Sequence, residues 1–177
     1  MAGGAKPDGP EPAPAATGAL ARPVPTEPAK PLPLPGAILF CCNHNAIRSP
    51  LAEALMKSLH GRRVFVQSCG VREHDEVDPF MTVVAGEIGI DMARHRPRSF
   101  EQMEAWGDDI TSYDVIVALS PAAQRQALER VQGSSVEVLY WPTLDPSGIG
   151  ESREQKLAAY RQTRDQVAGH LATTFGS

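Results

Sequence analysis

Ala37-Ile38-Leu39-Phe40-Cys41-Cys42 is an unbroken apolar run, and it passes through Asn43-His44-Asn45-Ala46-Ile47-Arg48 into Ser49-Pro50-Leu51-Ala52-Glu53-Ala54-Leu55-Met56. A short continuous apolar run is what a strand buried on both faces requires, and such strands belong to parallel sheets sandwiched between helices. In the second stretch Leu51, Leu55, Met56 and Leu59 fall on one helical face, while Ser49-Pro50 offers an N-cap and a first-turn proline. Buried strand, tight loop and amphipathic helix therefore follow one another without a gap.

The same alternation continues along the chain. Arg63 to Ser68 reads as a second strand, and Asp78-Pro79 opens a helix marked by Met81, Val84 and Ile88. Ser99 with Gln102 forms a capping box, which starts a short helix. Tyr113 to Leu119 is a third buried strand, followed by Ser120-Pro121 and a helix to about Val131. Val136 to Tyr140 is a fourth strand, and Glu151 to about Phe175 is a closing helix phased by Leu157, Tyr160, Val167 and Leu171. This order predicts an α/β fold, a doubly wound open sheet of four parallel strands with helices on both faces. Ligands of such sheets bind beyond the carboxyl ends of the strands, where the loop after Cys42 stands.

Upstream the composition changes. Residues 1–35 are rich in Ala, Pro and Gly, with too little apolar surface to offset the entropy of ordering. A disordered spacer is expected there, and a single domain over residues 36–177. Lys6, Arg22 and Lys30 are balanced by Asp8, Glu11 and Glu27, which speaks against a basic nucleic-acid arm and an Arg-rich transit peptide. The chain's net charge is -4, and its three cysteines, two of them adjacent, make no disulfide framework. No apolar run reaches the roughly 20 residues of a membrane span. The expectation is a cytoplasmic protein with neither nucleic acid nor membrane as partner.

The chemistry converges on the first loop. Backbone N–H groups of a strand-to-helix loop and of the first helical turn make an anion site, favoured by the helix dipole. A cysteine facing that site has its thiolate stabilised and becomes a nucleophile. Arg48, six residues after Cys42, presents a planar fork of donors suited to two phosphoryl oxygens. One loop would then both activate the sulfur and bind the substrate dianion. Cys41, Cys42 and His44 lack the spacing of zinc ligands, so neither a metal nor another cofactor is expected.

With these residues in place, the sequence resembles the low-molecular-weight protein-tyrosine phosphatases. Their pattern is an apolar strand, Cys-x5-Arg-Ser and usually Pro-x-Ala-Glu, and Arg48-Ser49-Pro50-Leu51-Ala52-Glu53 reproduces that continuation. Ser68-Cys69-Gly70, Gly89-Ile90-Asp91, His95-Arg96-Pro97-Arg98, Tyr113-Asp114-Val115-Ile116 and Asp145-Pro146 extend the likeness over nearly the whole domain. The resemblance implies a strand order 2-1-3-4 and hydrolysis of phosphomonoesters, protein phosphotyrosine foremost, through a cysteinyl phosphate. It implies Cys42 as nucleophile, Arg48 as phosphate clamp and Asp145 as general acid, then base. Asn43, His44, Asn45, Ala46 and Ile47 would cradle phosphate or another oxyanion, and Ser49 would support the thiolate. The partners it implies are a phosphorylated protein or a small phosphomonoester.

The chain departs from that pattern at several places. His74 and Ser147 stand where phosphotyrosine-specific members commonly carry aromatics, and Ile47 replaces a second loop cysteine. His44-Asn45-Ala46 is closer to loops of the related arsenate reductases. Their thioredoxin-coupled type needs a relay cysteine near Ser120, which this chain lacks, whereas a type using a low-molecular-weight thiol needs only Cys42. That reductase, and a non-catalytic phosphate-binding module, are the alternative readings. Cys69 is expected to be structural, and His60, His74, His95 and His170 are expected to be solvent-exposed. Core or rim packing is expected for Trp106 and Trp141.

Overall fold

The computed structural model describes residues 22–23 and 30–176. Along the chain run β1 (Arg22–Pro23), β2 (Ala37–Cys42), α1 (Arg48–His60), β3 (Phe65–Gly70), α2 (Pro79–Gly86) and α3 (Phe100–Ala105). A 3-10 turn at Ile110–Ser112 leads to β4 (Val115–Ala118), α4 (Pro121–Arg130), β5 (Glu137–Tyr140) and α5 (Arg153–Phe175). All the strands pair in parallel, in the order β1-β5-β4-β2-β3. Without β1 this is the expected order 2-1-3-4.

Strand β2 is central because it is apolar on both faces. Ile38, Phe40 and Cys42 point to one side, where Leu51, Met56, Trp141 and Leu171 pack; Leu39 and Cys41 point to the other, with Cys69, Phe100, Ile116 and Ala127. The period of two thus separates the adjacent cysteines. Register sets Cys41 beside Cys69 and Cys42 beside Gly70. From β2 the chain pairs first with β3 on one side and later with β4 on the other, so the loop after Cys42 opens at the point where strand order reverses.

The helices start as their caps dictate. Asp78 accepts from the N–H of Phe80 at 2.8 Å, Ser120 from that of Ala123 at 3.2 Å, and Ser99 with Gln102 closes the capping box. The exception is α1. It begins at Arg48, two residues before a Ser49 cap would start it, and its N-cap Ile47 provides no side-chain hydrogen bond. Ser49, expected as the cap, is buried and turns its hydroxyl elsewhere, so the first-turn donors are left for an anion.

The expected spacer is tied to the domain wherever it is described. β1 adds to the edge of the sheet, Arg22 beside Leu139 and Pro23 beside Tyr140. Leu32 and Leu34 pack against the core, and the N–H of Leu32 donates to Thr174 O at 2.6 Å. An edge strand offers unpaired backbone groups, and proline is tolerated there. The two isolated leucines bury what little apolar surface their segment has. The remainder of the expected spacer, residues 1–21 and 24–29, lies outside the described residues.

Candidate active site

Residues 42–48 form a loop whose carbonyls are turned outward. The carbonyls of Cys42, Asn43, His44 and Ala46 accept from the N–H groups of Val71, Arg72, His74 and Asp78 at 3.0, 2.9, 3.2 and 3.0 Å. A planar trans peptide puts its N–H opposite its C=O. The N–H groups of residues 43, 44, 45 and 47 are thereby left on the inner side, around one spot. Cys42 Sγ faces that spot, 2.9 Å from Ser49 Oγ and 3.4 Å from the Ser49 N–H. Gly70 is needed alongside: a Cβ there would stand 2.7 Å from the backbone N of Asn45.

Asn45 holds the loop in shape. It is fully buried and has φ of 55°, a left-handed backbone that asparagine tolerates better than other non-glycine residues. Its Nδ2 donates to Ser49 Oγ at 2.8 Å and Ser68 Oγ at 2.9 Å. Its Oδ1 accepts the Arg98 N–H at 3.0 Å and lies 2.9 Å from His95 Nε2. Because that oxygen already receives a backbone donor, Nε2 of His95 must carry its proton. Behind this cluster Glu53 accepts from Ser68 Oγ at 2.6 Å and from Lys57 Nζ at 2.5 Å. Asn45→Ala is expected to destabilise the fold by about 3 kcal/mol, through lost buried hydrogen bonds and left-handed strain. Asn45→Gly, measured by the same urea unfolding, should recover only the backbone part.

Burial holds the His95 imidazole below its ordinary pKa, with Arg98 and Lys57 adding to the effect and Glu53 opposing it. Burial does the same to His170, which stacks on Trp141 with ring centroids 5.2 Å apart. A folded-state pKa below the unfolded value means that acid protonates the unfolded chain first. Stability is therefore complete above about pH 6.5 and falls as pH drops below it. Urea midpoints should be lower near pH 5.5 than near pH 7.5, and His170→Asn should flatten the slope.

Arg48 is 5% exposed and pinned. Its Nη1 donates to the carbonyls of Leu119 at 3.1 Å and Thr143 at 3.2 Å, and its Nη2 lies 3.8 Å from Asp145 Oδ2. Asp145 itself is exposed, its Oδ1 accepting from Ser147 N at 3.1 Å and Ser147 Oγ at 2.7 Å. The thiol and guanidinium of one loop thus meet a carboxylate from a distant part of the chain at one mouth.

The sequence pattern of the low molecular weight phosphotyrosine protein phosphatases matches residues 37–171. The chain belongs to this family. It shares the family's hydrolase character and its cysteinyl-phosphate chemistry. A glutaredoxin arsenate reductase of Synechocystis sp. is 32% identical over 130 residues, 73% of this chain and 88% of that protein. A probable low molecular weight protein-tyrosine-phosphatase EpsP of Ralstonia nicotianae is 24% identical over 73% of this chain and 87% of its own. A solved arsenate reductase in the phosphate binding state is 25% identical, with a TM-score of 0.58 over 76% of this chain and 92% of that one.

Beside the loop of this phosphatase, the ring of His74 stacks on His44, with centroids 4.2 Å apart and planes at 30°. Two imidazoles thus stand at the mouth. Partial burial holds His44 below its ordinary pKa, with His74, Arg48 and Arg72 acting in the same direction and Asp145 against it. Three expectations about histidines need correction, since His170 is half-buried against Trp141. His60 is buried, and His95 is largely buried because it bonds Asn45. Cys41 and Cys69 are buried free thiols, pushed well above their ordinary pKa by burial. Trp141 is fully buried, and Trp106 is 65% exposed.

Ser68, Glu53 and His95 escaped the sequence reading as parts of the site. Glu53 lies away from the Leu51, Leu55 and Leu59 face of α1, so no helical spacing pointed to its burial.

Proposed function

We propose that this phosphatase hydrolyses phosphomonoesters, protein phosphotyrosine foremost, with Cys42 as nucleophile, Arg48 as phosphate clamp and Asp145 as proton donor. What supports the reading is the sulfur of Cys42, 2.9 Å from the Ser49 hydroxyl and 3.4 Å from the Ser49 N–H, in a loop whose carbonyls at 42, 43, 44 and 46 are taken up by residues 71–78. The phosphoryl dianion sits on the N–H groups of residues 43, 44, 45 and 47 and on the free edge of Arg48, which stabilise the charge on its equatorial oxygens. The thiolate attacks phosphorus, the bond to the ester oxygen breaks, and Asp145 in its acid form protonates the departing oxygen. Asp145, now a carboxylate, takes a proton from water. The water oxygen bonds to phosphorus, the S–P bond breaks, and phosphate leaves with the thiolate restored. Ser49 donates its hydroxyl to the sulfur, and the Asn45 amide keeps that hydroxyl in place.

Asp145→Asn is expected to lower kcat by about 10²–10⁴ for phenyl phosphate, the usual reach of general acid catalysis. The loss should be much smaller for an aryl phosphate whose leaving group needs no proton. Equal losses across a series of leaving groups would remove Asp145 from this role.

Arsenate reduction is the second reading, favoured by the Synechocystis relative, a glutaredoxin arsenate reductase, at 32% identity. With Cys41 and Cys69 buried, reduction here needs a thiol from solution to attack the arsenylated Cys42. Side-by-side rates on phosphotyrosine peptide, phosphoserine peptide, sugar phosphate, and arsenate with glutathione and glutaredoxin decide between the readings. Stabilisation by phosphate without any turnover would instead favour a binding module. Among the described residues no helix is long and apolar enough to cross a membrane. We assign the activity to the cytoplasm, where free thiols persist.

A further inference from the structure

Between α1 and the segment 89–98 lies a cleft of about 670 Å³, whose lining begins at Pro50, beyond the Cys42 loop. Its floor is apolar, built from Pro50, Ala54 and Ile90, and its rim carries Lys57, Arg94 and Arg96. Two carboxylates line it, and both are engaged. Glu53 accepts from Lys57 and Ser68, and Asp91 Oδ1 accepts the Ala93 N–H at 2.9 Å. Among the described residues Arg94 and Arg96 have no hydrogen-bond or ion-pair partner. Exposed arginines elsewhere, such as Arg62 and Arg125, also have no such partner among the described residues, and what sets Arg94 and Arg96 apart is that both line one cleft.

Two unpaired guanidiniums and an ammonium around one concavity focus positive potential into it. The volume is that of a small-molecule site, and an apolar floor beneath a charged rim suits a ligand with a ring at one end and phosphates at the other. Guanidiniums take phosphate oxygens in pairs, which an extended basic face open to water has no shape to do. We propose that this cleft binds a phosphorylated small molecule, its phosphates on Arg94, Arg96 and Lys57 and its apolar body on Ile90, Ala54 and Pro50. The site is separate from the hydrolytic one and does not depend on that reading.

The probe is ATP free of divalent cations, titrated calorimetrically into the full chain with orthovanadate saturating the Cys42 loop. One ATP is expected to bind. The double variant Arg94→Glu, Arg96→Glu is expected to weaken it by at least about tenfold, the worth of one or more charge-assisted contacts. Both arginines are exposed, so the variant's melting temperature should stay close to that of the parent. Absence of binding, binding that orthovanadate abolishes, or binding indifferent to charge reversal would each overturn the proposal. Aryl phosphate turnover without ATP, measured on the same samples, reports the hydrolytic reading independently.

Discussion

Cys42→Ser is expected to abolish hydrolysis of aryl phosphates, by at least about four orders of magnitude, the scale on which removal of a nucleophile acts. The serine hydroxyl is nearly isosteric, but it ionises far too weakly to attack phosphorus while the dipoles of the loop stay the same. Those dipoles still bind the anion. The outward carbonyls of residues 42, 43, 44 and 46 are held by backbone donors of 71–78, and Arg48 is held by Leu119 and Thr143. Phosphate should therefore raise the variant's melting temperature about as much as the parent's. Turnover in the variant would remove Cys42 from the mechanism. Loss of both turnover and phosphate stabilisation would mean that the sulfur shapes the loop as well as reacting.

Arg48→Lys keeps the charge and is expected to lower kcat/KM by about 10²–10³, as loss of a preorganised donor does. The reason is geometric. Arg48 spends Nη1 on two carbonyls, and in the proposed mechanism its other edge takes the phosphoryl oxygens. A lysine ammonium cannot hold both carbonyls and offer a fork as well. The carbonyls of Leu119 and Thr143 would lose their donor, costing about 1–3 kcal/mol of stability where they are buried. A conservative change that hurts both rate and melting temperature, with phosphate affinity also reduced, is the signature of a clamp built into the core. If Arg48→Lys retained full activity, the guanidinium would be no more than a point charge.

A good part of this was legible in the chain itself. An apolar run with both faces buried declares a central parallel strand, and Ser120-Pro121 and Ser99 with Gln102 declare helix starts, because these signals act between near neighbours. The Cys42-to-Arg48 spacing belongs to the same class: seven residues bend into a cradle using their own backbone. Ser49 marks the limit. As a sequence feature it is a cap, and in the fold it faces a sulfur, because α1 starts two residues earlier than the Ser-Pro signal suggests.

Local sequence thus determined that a strand, an anion loop and a helix would follow one another, since each needs only contacts a few residues long. Tertiary structure decided everything that must come from elsewhere in the chain. The left-handed Asn45 rests on Ser68, His95 and Arg98, Arg48 meets Asp145 across the mouth, His74 lies on His44, and Leu32 and Leu34 join the core. No spacing rule reaches these pairs. They form only when the sheet brings the ends of separate strands together, where packing and desolvation set the distances.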